Sequence, residues 1–308
     1  MPKCFLGLSP TGLVRVSFPF DSVTHSQLKR IRPSGVWLGS QDGWEFPFES
    51  ISPLKEELGS RFVITDELAR WIRLRSSREE SLMSIKDIIK DVEIGHYLED
   101  GRELFPHQIS GVSWLLSKRK AILADEMGLG KTLTALLAAK TLSKFLKINI
   151  MVIAPIGLHS FWQKEAKILG INIELKSWSA IPKEFIAGRN LLIVDEAHFA
   201  QSIHTKRTKS LLRLSRHPFL TFIWLLSGTP IRNGRASELF PLLAAIDHPL
   251  GRNYLKFKSK FCESHMHYAS FHLKSDLESL KSLNELRVAV APYMLTRTKD
   301  TVLQLPPK

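Results

Sequence analysis

An apolar run, a glycine-containing loop and a helix-forming run follow one another near the middle of this 308-residue chain. The run from Ala121 to Ala124 is typical of a buried strand, and residues 133–140 are typical of a helix. The loop between them ends in Gly-Lys-Thr. Backbone N–H groups at a helix start and the Lys131 ammonium bind phosphates, and the Thr132 hydroxyl can ligate Mg²⁺. The stretch therefore predicts a nucleotide site in an α/β protein.

The loop departs from the strict phosphate-loop pattern in one place, because Asp125 stands where that pattern has glycine. The whole loop is nevertheless expected to surround the nucleotide. The predicted nucleotide-contacting residues of this loop are Asp125, Glu126, Met127, Gly128, Leu129, Gly130, Lys131 and Thr132.

A pair of acids follows a second apolar run. Asp195-Glu-Ala-His198 comes directly after Leu191 to Val194, and a carboxylate at the carboxyl end of a buried strand faces the ligand crevice of an α/β sheet. We expect Asp195 to hold Mg²⁺ together with Thr132, and Glu196 to polarise the water that attacks the γ-phosphate. Lys131, Asp195 and Glu196 are the predicted catalytic residues, with ATP and Mg²⁺ as cofactors. The alternative, two solvated acids in a loop, fits the preceding apolar run poorly.

Charge is distributed unevenly along the chain. The total is +13, but residues 1–100 carry a balance of −2 and residues 101–308 carry +15. This split suggests a polyanionic partner for the second region. Lys206, Lys209, Arg213 and Arg216 recur at helical spacing and are the predicted nucleic-acid contacts, with a solvated helix face as the alternative.

Composition and cysteine content limit the class of protein. Hydrophobic residues make up 44% of the chain, and no apolar run approaches the length of a membrane span. Cys4 and Cys262 do not make a disulfide framework, so we expect a cytoplasmic protein, associated with the nucleoid in a bacterium or nuclear in a eukaryote. The sequence Cys262 to His267 resembles a metal motif, but it is too compact and lacks a fourth ligand.

Two different patterns divide the chain. Residues 1–62 predict a small α+β domain, residues 63–103 a helical connector, and residues 104–308 alternate strand and helix, which favours a parallel sheet with helices on both faces. Strands are expected at 121–124, 148–153, 171–175, 191–194 and 222–226. Helices are expected at 106–117, 133–143, 158–168, 206–215 and 236–246.

From about Leu104 onward, several motifs occur in the order found in one enzyme family. They are Phe105-Pro-His-Gln108, the loop 125–132, Ile153-Ala-Pro155 with Phe161-Trp162 and Glu165, Asp195-Glu-Ala-His198, Ser227-Gly-Thr-Pro230, and the ending from Leu295 to Lys308. The region resembles the first RecA-like lobe of a Swi/Snf-type ATPase of helicase superfamily 2. Asp125 fits that family's form of the phosphate loop.

The resemblance implies roles for further residues. Gln108 is expected to read the adenine edge, and His198, Ser227, Gly228 and Thr229 are expected to couple hydrolysis to nucleic-acid binding. The family places ATP between two lobes, and this chain ends where the second lobe should begin. A second lobe, on the same gene product or on a separate chain, is therefore an expected partner, along with double-stranded or branched DNA.

The amino-terminal residues Val14 to Phe20, Trp37 and Gly43 to Pro47 resemble the HepA-related domain of annealing helicases, which helps to recognise branched DNA. The alternative is that these aromatic residues only form the core of a small domain. The leading hypothesis for the whole chain is a DNA translocase lobe that acts in repair or fork remodelling. A non-hydrolysing single-lobe DNA-binding module remains an alternative. An RNA helicase is a weaker one, since those commonly carry Ser-Ala-Thr in place of Ser227-Gly-Thr229.

Overall fold

This computed structural model describes residues 3–76, 94–96, 98, 100–200, 202–230, 236–262 and 282–302. Residues 77–93 of the predicted helical connector, residues 263–267 of the metal-like sequence and residues 303–308 lie outside these ranges. The described residues form two sheets, one of five strands and one of six.

The amino-terminal domain is built on the five-stranded sheet, with strand order β3-β4-β2-β1-β5. β5 lies parallel to β1, and the other pairs are antiparallel. The strands are β1 (Cys4–Leu8), β2 (Val14–Ser17), β3 (Val36–Gly39), β4 (Gly43–Phe46) and β5 (Phe62–Ile64). The helices are α1 (Ser22–Arg30), α2 (Ile51–Leu58) and α3 (Asp66–Ser76). α1 begins at Ser22, because the Asp21 side chain caps the helix by accepting a hydrogen bond from the Thr24 N–H at 2.9 Å.

The boundary of this domain differs from the prediction at residue 62. β5 completes the small sheet, and Leu68 of α3 is fully buried in the same core. The domain therefore extends to residue 76, and α3 is part of it rather than part of a connector. The sequence pattern could not show this, because β5 has only three residues and its partner strand β1 lies at the other end of the domain.

The second domain, or lobe, is a six-stranded parallel sheet in the order β11-β6-β10-β9-β7-β8. Its strands are β6 (Lys120–Leu123), β7 (Ile148–Ala154), β8 (Glu174–Ser177), β9 (Arg189–Val194), β10 (Leu220–Leu226) and β11 (Met294–Leu295). Its helices are α4 (Pro106–Ser117), α5 (Lys131–Phe145), α6 (His159–Ile168), α7 (Lys206–Ser215), α8 (Phe240–Ala245), α9 (Tyr254–Phe261) and α10 (Lys299–Val302), and residues 282–290 are also helical.

Side chains of each central strand alternate between two cores. Leu192 and Val194 of β9 face one core with α7, α8 and α9, whereas Leu191 and Ile193 face the other with α4, α5 and α6. Helices therefore cover both faces, as predicted, and the carboxyl ends of β6, β9 and β10 meet at one edge. Each predicted lobe strand is present, although β8 begins three residues later than expected, at Glu174.

The two domains dock through α3 and α7. Arg213 of α7 forms an ion pair with Glu67, and its guanidinium lies 5.6 Å from the Trp71 ring centroid. Trp71 is 1% exposed and meets the ring of His217 edge-on at 5.0 Å. This junction buries one aromatic side chain of α3 among cationic and aromatic groups of the lobe. None of the helices in the described residues is long and apolar enough to cross a bilayer.

Candidate nucleotide-binding site

The phosphate loop connects β6 to α5 at the carboxyl edge of the lobe sheet. Gly128 and Gly130 have φ angles of 89° and 78°, in the left-handed region that glycine adopts without strain. Gly130 is the N-cap of α5, so the unpaired N–H groups of the first helical turn point toward the loop. Such a helix start is ready to bind phosphate oxygens.

Lys131 folds back onto its own loop. Its ammonium donates to the carbonyl oxygens of Asp125, at 2.8 Å, and Glu126, at 3.2 Å. Burial lowers the pKa of Lys131, while the nearby carboxylates, Glu196 first among them, oppose that shift. A phosphate group offers this partly desolvated cation a stronger acceptor than two neutral carbonyl groups.

Asp195 lies at the end of β9 and is held by two indole groups. The Trp162 Nε1–H donates to Asp195 Oδ2 at 2.9 Å, and the Trp178 Nε1–H donates to the Asp195 carbonyl oxygen at 3.1 Å. Its Oδ1 accepts from the Glu196 N–H at 2.9 Å. Burial raises the pKa of Asp195, and the neighbouring Glu196 charge adds to that effect.

Glu196 begins a polar chain that leads to the next strand. The residue has a φ of 48°, which turns the backbone sharply after β9. Its Oε2 lies 3.0 Å from His198 Nδ1, which is also 3.2 Å from Ser227 Oγ. Ser227 Oγ in turn accepts from the Thr229 N–H at 3.2 Å. The predicted coupling residues His198, Ser227 and Thr229 are thus joined to Glu196.

Gly228 brings the loop after β10 against the phosphate loop. A Cβ built on Gly228 would lie 2.7 Å from Met127 Cγ and 3.5 Å from Lys131 Nζ. No larger residue fits without displacing one of them. The structure therefore brings three predicted motifs, the phosphate loop, the acidic pair and the Ser-Gly-Thr stretch, to the same edge of the sheet.

Gln108 is buried and contacts the phosphate loop. Its Oε1 accepts from the Phe105 N–H at 3.1 Å, which caps α4, and its amide nitrogen packs against Gly130. The neighbouring His107 Nε2 lies 3.0 Å from the Leu129 carbonyl oxygen. The adenine contact of Gln108 stays a prediction, and the structure shows in addition that α4 supports the loop from behind.

The donor set at this edge suits magnesium. Asp195 offers a desolvated carboxylate and Thr132 a hydroxyl on the first turn of α5, and hard oxygen donors are the ligands of Mg²⁺. Among the described residues no group of three or more His, Cys, Asp or Glu side chains could enclose a metal. Mg²⁺ usually keeps several waters and takes further ligands from nucleotide phosphates.

The predicted nucleic-acid residues of α7 separate into two pairs. Lys206 is exposed and Lys209 is half-buried, whereas Arg213 is engaged by Glu67 and Arg216 donates to the Thr11 carbonyl oxygen. Burial lowers the pKa of Arg216 to about 10. Arg213 and Arg216 therefore contact the amino-terminal domain, so Lys206 and Lys209 are the accessible members of the set, and DNA contact stays a prediction for all four. Helical spacing alone does not show that the last turn of α7 is covered.

Several site residues were not predicted, or were given another role. Trp162 and Glu165 belong to one of the ordered motifs, which resembles the family motif that places nucleic acid near the lobe surface. In the structure Trp162 is fully buried against Asp195, and Glu165 pairs with Arg102 at 2.9 Å. Trp178 was missed. The only indication in the sequence was a single tryptophan close to the end of a predicted strand.

A parallel sheet whose carboxyl edge carries a phosphate loop and a buried acidic pair defines this lobe as a RecA-like nucleotide-binding domain. Residues 107–168 and 167–308 match the model of the SNF2-related domain. The chain belongs to the SNF2-related family.

Similar proteins include a Xenopus laevis SWI/SNF-related matrix-associated actin-dependent regulator of chromatin subfamily A-like protein 1, 26% identical over 298 residues that cover 86% of this chain and 30% of the relative. A Caenorhabditis elegans homolog is 30% identical over 237 residues, covering 67% of this chain and 33% of that protein. The human DNA annealing helicase and endonuclease ZRANB3 is 27% identical over 241 residues, with coverages of 67% and 22%.

The chain thus spans a third or less of the length of these relatives. Among solved structures, the Sulfolobus solfataricus SWI2/SNF2 ATPase core in complex with dsDNA has a TM-score of 0.56 at 23% identity. That match covers 70% of this chain and 49% of the archaeal one, and it supports the fold.

Proposed function

We propose that this chain is the ATP-binding lobe of a DNA-dependent ATPase that remodels DNA, in repair or at forks. The observation that carries the proposal is the convergence of Lys131, Asp195 and Glu196 at one sheet edge, in a member of the SNF2-related family. These three side chains supply the phosphate-binding cation, the metal-binding carboxylate and the water-polarising base of phosphoryl transfer.

The chain's own residues perform distinct parts of this reaction. Lys131 exchanges its two loop carbonyls for phosphate oxygens, and the first turn of α5 donates backbone N–H groups to the same phosphates. Asp195 and Thr132 would hold Mg²⁺, which neutralises charge on the transferred phosphate. Glu196 accepts a proton from the attacking water. Its contact to His198 orients the carboxylate and connects it with Ser227.

DNA binding is proposed for the amino-terminal half of α7 and the groove beside it. The groove has a volume of about 640 Å³, and Ile156, Trp178 and Lys206 are among its lining residues. Lys206 and Arg207 are exposed there, and Lys209 is half-buried. The Sulfolobus structure is described as a complex with dsDNA, and its similarity supports double-stranded DNA as the partner.

A role in branched-DNA recognition is proposed for the amino-terminal domain. The Xenopus match spans 86% of the chain and so includes part of this domain, and ZRANB3 is described as an annealing helicase. Trp44 and Phe46 are buried core residues, whereas Phe20 is 58% exposed and lies 6.2 Å from the Trp37 ring. The exposed Phe20 and the half-buried Trp37, rather than the buried Trp44 and Phe46, form the aromatic surface available for a nucleic-acid base.

Efficient hydrolysis is proposed to need a second lobe. Lys131, Asp195 and Glu196 form one wall of the site, and Arg297, which contacts the phosphate loop, is committed to Asp125. Arg232 and Arg235 lie outside the described residues. A transition-state arginine contributes about 10³–10⁵ in rate in related reactions. The 308-residue polypeptide should therefore bind nucleotide weakly and show almost no DNA-stimulated turnover.

Substitution of Glu196 tests the reaction. In a polypeptide extended by a second lobe, Glu196→Gln should bind ATP normally and hydrolyse it about 10²–10⁴-fold more slowly, because the amide cannot accept the proton. DNA-stimulated phosphate release is the measurement. Glu174→Gln, at a surface ion pair with Lys176, is the matched control and should keep parental rates. Equal turnover in Glu196→Gln and the parent would remove Glu196 from catalysis.

A further inference from the structure

Residues 293–299, which include β11, are hydrogen-bonded to β6 and to the phosphate loop. Residues 293–297 extend the sheet past β11, since backbone N–H groups of the β6 side donate to carbonyl oxygens of this segment. The three bonds are Ile122 N–H to Tyr293 O at 2.8 Å, Ala124 N–H to Leu295 O at 2.7 Å, and Glu126 N–H to Arg297 O at 2.9 Å. The last of these lies inside the phosphate loop itself.

Arg297 binds the loop through the carboxylate of Asp125. Its Nε donates to Asp125 Oδ1 at 2.9 Å and its Nη2 donates to Oδ2, so the pair is bidentate. Its Nη1 donates to the His107 carbonyl oxygen and, at 2.9 Å, to Ser110 Oγ. Asp125 is only 1% exposed, and a charge buried to that degree needs such a partner.

Glu126 is bound in a similar way one residue further on. Its Oε2 accepts from the Lys299 N–H at 2.7 Å, at the start of the short helix α10. The Lys299 side chain continues across the loop, because a Cβ built on Gly128 would lie 3.3 Å from Lys299 Cε. The carboxylates of Asp125 and Glu126 therefore point to residues 297–299.

These two acids also supply the carbonyl oxygens that Lys131 binds. Each residue thus contacts Lys131 through its backbone and the 297–299 segment through its side chain. When Lys131 turns to a phosphate, the two carbonyls lose their cation and the loop backbone between residues 125 and 128 is free to shift. Any such shift displaces Arg297 and Lys299 as well, because both are hydrogen-bonded to the loop through Asp125 and Glu126.

We propose that Arg297 is a positioning residue for the phosphate loop, and that the contacts of residues 297–299 with Asp125 and Glu126 form a clamp that transmits nucleotide binding to the segment after β11. Asp125 and Glu126 then act as anchors of this clamp rather than as direct nucleotide ligands. The idea rests on the proposed nucleotide site and adds a regulated element to it. In this account the segment changes its hydrogen bonding when ADP–Mg²⁺ or ATP–Mg²⁺ occupies the loop.

Calorimetric titration with ADP–Mg²⁺ tests the positioning role. Arg297→Gln removes the guanidinium, and Asp125→Asn removes the carboxylate charge with little change of shape. Each breaks the bidentate pair and should weaken ADP affinity by about 2- to 30-fold. The double variant should bind ADP at least as tightly as the single variant that binds it less tightly, because both substitutions remove the same interaction. Arg15→Gln is the control, since Arg15 pairs with Asp42 and Glu45 entirely within the amino-terminal domain.

Hydrogen exchange of residues 294–299 tests the transmission. In the parent, saturating ADP–Mg²⁺ should change exchange of these amides, and in Arg297→Gln at saturating ADP the change should be absent. A purely structural arginine would alter basal exchange and thermal stability but would leave the nucleotide-dependent difference intact. Glu126→Ala, at a half-buried position, is the second variant should Arg297→Gln fail to fold, and it should also abolish the difference.

The outcomes separate the two proposals. If the parent binds ADP–Mg²⁺ while the variants match its affinity and its nucleotide-dependent exchange, the clamp is refuted and the nucleotide site stands. A parent that does not bind ADP–Mg²⁺ overturns both.

Discussion

Two buried indole groups set the position of Asp195 in the site. Trp162 donates to its carboxylate and Trp178 to its backbone carbonyl, so the side chain and the main chain are fixed separately. A buried carboxylate that lacks its donor loses much of what compensates its desolvation. The geometry of this carboxylate, the proposed metal ligand, therefore depends on two tryptophan side chains.

Replacing the Trp162 indole tests this support. Trp162→Phe should lower the free energy of unfolding by about 1–3 kcal/mol beyond the loss of ring volume, because Asp195 Oδ2 loses its donor. Urea denaturation gives the value. Trp178→Phe removes a similar volume and a bond to a neutral carbonyl, so it should cost less. A larger loss for Trp178→Phe than for Trp162→Phe would contradict this assignment.

At the residue scale the sequence predicts which residues are candidates for the reaction, but it does not predict what those residues contact. Lys131, Asp195 and Glu196 follow from local patterns of strand, loop and helix. The partners of Asp125 do not, because Arg297 lies 172 positions away and nothing in either local pattern connects them. The contact of Trp162 with Asp195 could not be predicted either, since an aromatic residue in a helix can lie on the surface or in the core.

The two halves of helix α7 face different surroundings, the proposed DNA groove and the amino-terminal domain. Its amino-terminal half carries Lys206 and Lys209 beside the proposed DNA groove, and its last turn carries Arg213 against α3. The bounds of α7 agree with the sequence prediction, because Thr205 caps the helix and apolar residues recur at helical spacing. The sequence pattern of α7 does not show which of its turns are covered, because the covering residues belong to the amino-terminal domain.

Charge reversal on α7 separates the two surfaces. Lys206→Glu with Lys209→Glu should flatten the dependence of log K on log salt for duplex DNA by about two, since each lost phosphate contact removes about 0.9. Arg213→Gln with Arg216→Gln should leave that slope unchanged and lower thermal stability, because those residues join the domains. Equal slopes for the parent and the lysine variant would show that Lys206 and Lys209 do not contact DNA and lie on a solvated helix face.

Over the whole molecule, alternation of strand and helix predicts the parallel lobe, its two covered faces and the edge where the motifs meet. The strand order could not be predicted, because it is set by pairing between strands that are distant in sequence. The docking of the amino-terminal domain could not be predicted either, since it arises from long-range packing of Trp71, Arg213 and His217. β1 and β5 were also missed, since their pairing joins the two ends of the small domain.

The nucleotide titration of the whole 308-residue polypeptide tests the central claim most directly. ATP–Mg²⁺ should bind the parent, and Lys131→Ala should weaken binding by roughly 1.5–3 kcal/mol, because it removes a charge-assisted phosphate contact. Lys144→Ala, at an exposed position on the same helix, should bind as the parent does. Equal calorimetric affinities for Lys131→Ala and Lys144→Ala would contradict the assignment of the phosphate loop as the ATP site.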